Sequence, residues 1–197
     1  MDIIIDAMLE NQLELRGLIN EMVESNSESA YKNLFKILFN PIKNFSFGIV
    51  KSWELAEEVA SDILFMLWQN REKLLEVKNL KYYAFIAARN RSLNILKKDL
   101  GKEIVYLDQI DVDIHIDYSN PELILLQGEL KQQLEEAIET LPKQCKLVFK
   151  LIKEDGFSYK EVAEILDISP KTVDAHLVNA IRKLAVVLKA EFNIRNN

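Results

Sequence analysis

The side chains best suited to recognising another molecule lie on one face of a predicted helix near the carboxyl terminus. At about 100° per residue, this face presents Lys171, Asp174, Ala175, Val178, Asn179 and Arg182, with Thr172, His176 and Lys183 at its margins. Lys and Arg bind phosphates or guanine, Asn pairs with adenine, and Ala or Val contacts the methyl group of thymine. We therefore predict a surface that recognises base pairs in the major groove of duplex DNA.

The preceding sequence predicts the helices that hold this face. A helix runs from Lys143 to about Lys153, and Ser158-Tyr159-Lys160-Glu161 then forms a capping box, in which the Ser hydroxyl and the Glu carboxylate bind backbone amides reciprocally. The helix that it opens, Tyr159 to Leu166, is short. The next begins with Ser169 as cap and Pro170 at the first helical position. Two helices joined by a three-residue turn are typical of the helix-turn-helix motif.

Apolar residues favour the same arrangement. Phe157 before the first cap and Val162 after it form a hydrophobic staple, and Ile168 and Val173 repeat the pattern at the second cap. The apolar side of the second helix is expected to face the core, with Val173, Leu177, Ala180, Ile181 and Leu184. A plain three-helix bundle with a solvated face is the structural alternative.

A second set of candidate residues lies between Leu80 and Lys98, where basic and aromatic side chains alternate. Residues 71–102 carry 9 basic and 3 acidic side chains, a net charge of +6, whereas the whole chain carries −6. Aromatic rings can stack on unpaired bases at about 1–3 kcal/mol each. This alternation, with Tyr82 and Tyr83 among Lys81, Arg89 and Arg91, is compatible with contact to a nucleic acid. The alternative for the aromatic rings is core packing.

Acidic blocks flank this basic segment. Residues 1–70 carry 5 basic and 11 acidic side chains, and residues 103–136 carry 1 and 9. Glu57, Glu58 and Asp62 lie on a predicted helix in the first block. These carboxylates form either a solvated helix face or an electrostatic docking surface for a basic partner.

Hydrophobic periodicity predicts an all-α fold. Apolar residues recur every three or four positions over 6–24, 28–51, 54–75 and 80–98, and Pro41 is expected to interrupt the second helix. The stripe expected over 80–98 consists of Tyr83, Ile86, Ala87, Asn90, Leu93 and Leu96. Gly101 ends the last of these helices, and residues 110–117 alternate apolar with polar side chains. We predict two helical domains joined by an acidic extended linker, the second a helix-turn-helix domain, with limits at 1–100, 101–127 and 128–197.

Composition excludes several classes of function. The chain has one Cys and 2 His, which leaves no paired-cysteine or histidine-based metal site. No nucleophile triad or phosphate-binding glycine loop can be assembled. We therefore expect no enzyme activity, metal, cofactor or small-molecule substrate. The amino terminus lacks a signal-peptide pattern and no stretch has the length of a membrane span, so we predict a cytoplasmic protein without membrane insertion.

Most of the chain, from Ser29 to Leu188, resembles a bacterial sigma factor of the sigma-70 family, of the small extracytoplasmic function (ECF) type. Ala56-Glu57-Glu58-Val59-Ala60-Ser61-Asp62-Ile63-Leu64-Phe65-Met66-Leu67-Trp68 is similar to the family's helix that docks on the polymerase clamp. Leu80 to Lys98 resembles its segment that recognises and melts the −10 element, which implies DNA contacts by Lys81, Tyr82, Tyr83, Arg89, Asn90, Arg91, Asn94, Lys97 and Lys98. The helix-turn-helix resembles its −35 reader. The resemblance implies core RNA polymerase, promoter DNA and an anti-sigma factor as partners. It also implies docking through Glu57, Glu58, Ser61, Asp62, Phe65 and Trp68.

Two other functions stay open at this point. Ile168-Ser169-Pro170-Lys171-Thr172-Val173, followed by Ala175-His176-Leu177, also resembles the DNA-binding domain of LuxR-type regulators. The usual amino-terminal partner of that domain is an α/β receiver, whereas residues 1–98 here predict successive helices. The third alternative is a protein-interaction adaptor that does not bind DNA.

Overall fold

The computed structural model describes residues 2–100 and 135–195, with side chains for residues 12–98 and 135–186. These residues form helices and no strand, which confirms the prediction of an all-α fold. The predicted linker at 101–127 lies outside the described residues. The chain divides into two compact units, Met1–Gln109 and Ile110–Asn197, and the predicted domain limits themselves stay a prediction.

Unit 1 contains five described helices: α1 (Asp2–Glu24), α2 (Glu28–Val50), α3 (Trp53–Gln69), α4 (Arg71–Leu74) and α5 (Leu80–Leu100). Serine caps begin two of them. Ser27 accepts a hydrogen bond from the amide of Ala30 at 3.1 Å, and Ser52 accepts one from Leu55 at 3.3 Å. Each cap satisfies an amide that has no partner inside its helix, so both helix starts are fixed by local sequence.

The predicted interruption at Pro41 is wrong, because α2 continues through it. Proline removes one backbone hydrogen bond and crowds the preceding turn, at a cost of about 3 kcal/mol. Leu38 and Ile42, on either side of Pro41, are both fully buried. Burial of such side chains contributes about 1.5–3 kcal/mol each, so packing holds the helix together across the proline.

The apolar stripe predicted on α5 is also corrected. Tyr83 and Asn90, which the periodicity placed in the stripe, are exposed. The helix instead buries Leu80, Ala84, Phe85, Ala88 and Leu93, and packs against α2 and α3. Small alanines permit close approach of neighbouring helices, and α5 carries apolar residues on several sides, so spacing alone did not identify the packed face.

Unit 2 consists, in its described part, of helical residues 135–139 followed by α6 (Lys143–Lys153), α7 (Tyr159–Leu166) and α8 (Pro170–Arg195). The bounds of α6 and α7 are those predicted from the sequence. The capping box is present: Ser158 accepts from the amide of Glu161 at 3.3 Å, and the Glu161 carboxylate accepts from the amide of Ser158 at 2.9 Å. Ser169 caps α8 through the amide of Thr172 at 3.0 Å.

The turn between α7 and α8 depends on one left-handed residue. Asp167 ends α7 with φ of 57° and ψ of 44°, a conformation that short polar side chains tolerate better than most. The staple residues Phe157, Val162 and Val173 are buried on both sides of this turn. Local capping and core packing together fix how α8 is presented.

A buried ion cluster fixes the end of α6. The Lys150 ammonium lies 3.2 Å from a Glu154 carboxylate oxygen and 3.3 Å from one of Asp155, and all three side chains are at most 10% exposed. Burial alone would lower the pKa of Lys150, but attraction to Asp155 and Glu154 and hydrogen bonds to both raise it above 10.5. The cluster therefore holds the turn that leads to α7.

Candidate nucleic-acid interface

The outer face of α8 is largely as the sequence predicted. Among the predicted DNA-binding residues, six are exposed: Lys171, Asp174, Ala175, Val178, Arg182 and Lys183. Thr172, His176 and Asn179 are half-buried. The exposed set combines three cations with two small apolar side chains, and the carboxylate of Asp174 lies among them.

The prediction that Ile181 faces the core is wrong. Val173, Leu177, Ala180 and Leu184 are buried, whereas Ile181 is 47% exposed and follows the exposed Val178 by one turn. Residues at i and i+3 share a helix face, so Val178 and Ile181 form an apolar strip beside the cations. This strip can contact the apolar methyl groups of thymine.

Two of the predicted base-contacting residues are held by a cysteine of α6. The Sγ atom of the buried Cys145 accepts a hydrogen bond from Asn179 Nδ2 at 3.5 Å and lies 3.7 Å from His176 Nδ1. Burial lowers the pKa of His176 below 6.5, because the cationic form is poorly solvated there. Asn179 and His176 are therefore oriented from beneath the helix, which leaves less of each side chain for a ligand.

Residues on α5 form the second candidate surface. Tyr83, Asn90, Arg91, Asn94 and Lys98 are exposed, and Lys81, Tyr82, Arg89 and Lys97 are half-buried. The amide of Tyr82 donates to Asn79 Oδ1 at 3.1 Å, which fixes the first turn of the helix. The Tyr83 hydroxyl lies 3.8 Å from Met66 Sδ, and the Lys81 ammonium lies 5.9 Å from the Phe85 ring centre.

Arg91 connects this surface to α3. Its Nε and Nη2 atoms lie 3.1 and 2.8 Å from Asp62 Oδ2, and Nη2 lies 3.2 Å from Glu58 Oε1. The sequence placed Arg91 in the DNA-binding set and the two carboxylates in the docking set. The structure brings the two predicted sets into contact through this one guanidinium.

The face of α3 combines acidic residues with one large apolar side chain. Glu57, Glu58, Ser61 and Asp62 are exposed, and Phe65 is 56% exposed. The Glu57 carboxylate lies 3.6 Å from the Lys43 ammonium of α2. An exposed aromatic ring surrounded by carboxylates suits a partner surface that is basic and partly apolar.

Trp68, the last residue of the predicted docking set, is half-buried and packs against side chains outside α3. Its ring lies 5.1 Å from that of Tyr31, and the Arg71 guanidinium lies 4.7 Å above it. At the other end of α3, Trp53 stacks on Phe47 with ring centres 3.9 Å apart. The two tryptophans therefore attach α3 to its neighbours at both ends, and Phe65 is more exposed than either of them.

Comparison with known proteins identifies the relatives of these surfaces. Residues 131–184 match the family described as Sigma-70, region 4. The ECF RNA polymerase sigma-E factor of Haemophilus influenzae is 27% identical over 134 residues, which are 68% of this chain and 66% of that protein. The ECF RNA polymerase sigma-E factor of Escherichia coli (strain K12) is 39% identical over 62 residues, or 32% of each chain. The comparisons thus relate this chain to ECF-type sigma factors.

The match extends over only part of these relatives, just under two thirds of the first and about one third of the second. A solved structure of CnrH, in complex with the cytosolic domain of CnrY, shares the fold. It covers 90% of this chain and 98% of that one at 15% identity, with a TM-score of 0.50. The sigma-70 family consists of non-enzymatic transcription initiation factors, and the comparisons do not favour the LuxR-type alternative.

The matched residues 131–184 include α6, α7 and the exposed face of α8. Over the described part of the chain, no group of three or more His, Cys, Asp and Glu side chains could hold a metal ion. Within the same residues, no helix is both long enough and apolar enough to cross a membrane.

Sequence reasoning missed two contacts in this chain. The first is Arg16 of α1, which donates to backbone carbonyls of Leu75 and Val77. The signal for it is that Arg16 is the one basic residue among residues 1–31. The second is Cys145, whose contacts with α8 join residues 31 and 34 positions apart, a separation that no local pattern reveals.

Proposed function

We propose that the chain binds core RNA polymerase, recognises the −10 and −35 elements of promoters and helps to open the duplex at transcription initiation. Unit 2 contacts the −35 element through the outer face of α8. Unit 1 docks on the polymerase through α3 and captures the −10 element through α5. The alternation of charge along the chain supports this assignment, because the basic segment coincides with α5 and the acidic one contains α3.

The observation that carries the proposal is the capped helix pair α7 and α8. Two caps, a left-handed Asp167 and the buried staple residues hold α8 with Lys171, Arg182 and Lys183 exposed. The match to Sigma-70, region 4 covers α7 and residues 170–184 of α8. A rigid helix that presents cations and small apolar side chains suits insertion into the major groove.

The first test is co-elution of the purified full chain with core RNA polymerase in size-exclusion chromatography. Phe65→Ala should weaken the complex, because an exposed aromatic side chain at an interface centre often carries much of the affinity. Leu13→Ala is the matched control, since Leu13 is 71% exposed but lies on α1. Absence of any complex with the wild-type chain would contradict the proposal.

The second test is promoter-dependent transcription by core polymerase reconstituted with the chain. Lys171→Ala and Arg182→Ala should each lower initiation at promoters that carry a −35 element. Lys160→Ala is the control, because this substitution removes the same charge from an exposed residue of α7. Equal effects of all three substitutions would assign the loss to general electrostatics and contradict recognition by α8.

Two further parts of the proposal concern its setting. Access to polymerase and promoter DNA requires a cytoplasmic location. An anti-sigma factor, as the family resemblance implies, would regulate the protein by covering α3 or α8. CnrH, which shares the fold, was solved in complex with the cytosolic domain of CnrY. Such a partner should compete with core polymerase for the wild-type chain, and Phe65→Ala should reduce this competition. That result would support regulation by an anti-sigma factor.

A further inference from the structure

The guanidinium of Arg16 binds the backbone of the segment that joins α4 to α5. Its Nη1 donates to the carbonyl of Val77 at 3.2 Å and its Nη2 to that of Leu75 at 2.5 Å. Carbonyls at the end of a helix lack partners within that helix, and a planar guanidinium can bind two of them at once. Arg16 thus fixes the path of the chain just after α4.

The chain just before this segment, at Arg71 of α4, is also attached to the amino-terminal region. Arg71 donates to Asn26 Oδ1 at 2.9 Å and to the carbonyl of Trp68 at 3.0 Å. Asn26 lies in the turn between α1 and α2. Segment 70–79 is therefore held at one end by α1 and at the other by the turn that follows α1.

This segment leads directly into the residues predicted to capture bases. Asn79, its last residue, accepts the hydrogen bond from the amide of Tyr82 that fixes the first turn of α5. Lys81, Tyr82 and Tyr83 follow at once. The carbonyls at 75 and 77 precede these side chains by four to eight residues, so a displacement of the carbonyls would also shift the side chains.

We propose that Arg16 is a positioning residue for promoter opening: it holds segment 75–79 so that the first turn of α5 can capture unpaired bases. The inference rests on the proposed function and extends it to α1, a helix outside the family resemblance. Arg16 acts through the backbone of the segment and does not itself touch DNA. Its contribution should be greatest when base capture must offset the cost of opening duplex DNA, about 1.4 kcal/mol per base-pair step.

The test compares two templates with the full chain and core polymerase. One is a duplex promoter selected by the wild-type complex from randomised DNA, and the other is the same promoter with a mismatched −10 region that is already unpaired. Opening is measured by the permanganate reactivity of thymines just downstream of the −10 region, which are paired in both templates until the complex opens them. Arg16→Ala should lower opening of the duplex by about tenfold, the scale of a charged hydrogen bond, and opening of the mismatched template by less than about twofold, since its opening cost is already removed.

Two further variants separate geometry from charge and from folding. Arg16→Lys keeps the charge but cannot span two carbonyls, so it should follow the pattern of Arg16→Ala. Lys32→Ala removes the same charge from an exposed site on α2 and should leave both templates unchanged. Arg16→Lys also keeps the test valid if Arg16→Ala folds poorly.

Each alternative outcome is decisive. Equal losses on the two templates would show a merely structural role and overturn the inference, as would wild-type opening by Arg16→Ala or full rescue by Arg16→Lys. These outcomes leave the proposed function intact, because the wild-type chain opens the promoter in all of them. Failure of the wild-type chain to open either template would instead overturn the proposed function and the inference with it.

Discussion

Arg91 of α5 and Asp62 of α3 form an ion pair, with Nη2 and Oδ2 2.8 Å apart. Arg91 is 44% exposed and Asp62 47%, so water screens the pair and little energy is needed to separate it. On the proposed function, a basic polymerase surface that takes up Asp62 would leave Arg91 available to promoter DNA. The contact thus gives polymerase docking a direct electrostatic connection to the DNA-binding helix.

The strength of this connection can be measured by a double-mutant cycle with Arg91→Gln and Asp62→Asn. We expect a coupling free energy of about 0.2–1 kcal/mol in the unfolding of unit 1, as for other exposed ion pairs. The coupling should fall as salt is raised from about 0.01 M to 1 M. Urea unfolding of the full chain, followed by a probe in unit 1, supplies the four values; strictly additive effects would show that the pair is not formed in solution.

Lys150→Met should destabilise unit 2 by about 3–5 kcal/mol, because it leaves the carboxylates of Glu154 and Asp155 buried without a counter-charge. The folded-state pKa of Lys150 is raised above 10.5, so its stabilising effect is complete below that pH and is lost as the pH rises through the folded value. Chemical denaturation of the variant at neutral pH measures the loss.

Lys153→Met is the matched control for this cluster, since Lys153 lies on the same helix and is exposed. It should change stability by less than about 0.5 kcal/mol. Adding Glu154→Gln and Asp155→Asn to Lys150→Met should restore part of the loss, because the buried carboxylate charges are then removed as well. A Lys150→Met protein as stable as the wild type would contradict the buried cluster.

Acidification should weaken the packing of α8 on α6 through His176. Because its folded pKa lies below 6.5, the unfolded chain takes up a proton first as the pH falls. The contribution of the neutral imidazole is therefore fully present above 6.5 and is lost as the pH falls through the folded pKa. The free energy of unfolding of the wild type, compared with His176→Gln across this range, isolates the effect; parallel pH profiles would contradict it.

Gly17→Ala should stabilise unit 1 by about 0.5–1 kcal/mol, since glycine inside a helix costs that much relative to alanine. Gly17 is exposed within α1, and a Cβ atom added there would meet no atom within 4 Å. Gly17→Val should gain less, because a β-branched side chain loses rotamers in a helix. The denaturation midpoint measures both variants, and a lower midpoint for Gly17→Ala would mean that this part of α1 is not helical in solution.

Local patterns predicted the helices of unit 2 well because capping is local. Ser158, Glu161 and Ser169 find their hydrogen-bond partners within three residues, and the starts of α7 and α8 follow from them. The error at Ile181 arose because tertiary packing, and not local capping, decides whether this side chain is covered. Its angular position borders the buried stripe, and only the placement of α6 and α7 decides which side of that border is covered.

Contacts between distant residues were beyond the sequence. Pro41 was expected to break α2, and the burial of Leu38 and Ile42 that prevents the break is a tertiary effect. Arg91 was predicted to contact DNA. Nothing in its neighbouring sequence indicates the carboxylates 29 and 33 residues away with which it pairs. The functional roles of the candidate residues on α3, α5 and α8 stay predictions. Most of these residues are exposed, as a residue that contacts a partner must be.

The mixture of cations and apolar side chains on α8 has a consequence for counterion release. Binding to duplex DNA loses affinity with salt at a slope of about −0.9 for each phosphate neutralised. With Lys171, Arg182 and Lys183 as the exposed cations among its residues up to 186, this part of α8 should contribute a slope no steeper than about −2.7 if it binds duplex DNA as proposed. The strip of Val178 and Ile181 releases no ions, so the part of the affinity that it supplies should persist at salt concentrations that abolish nonspecific binding.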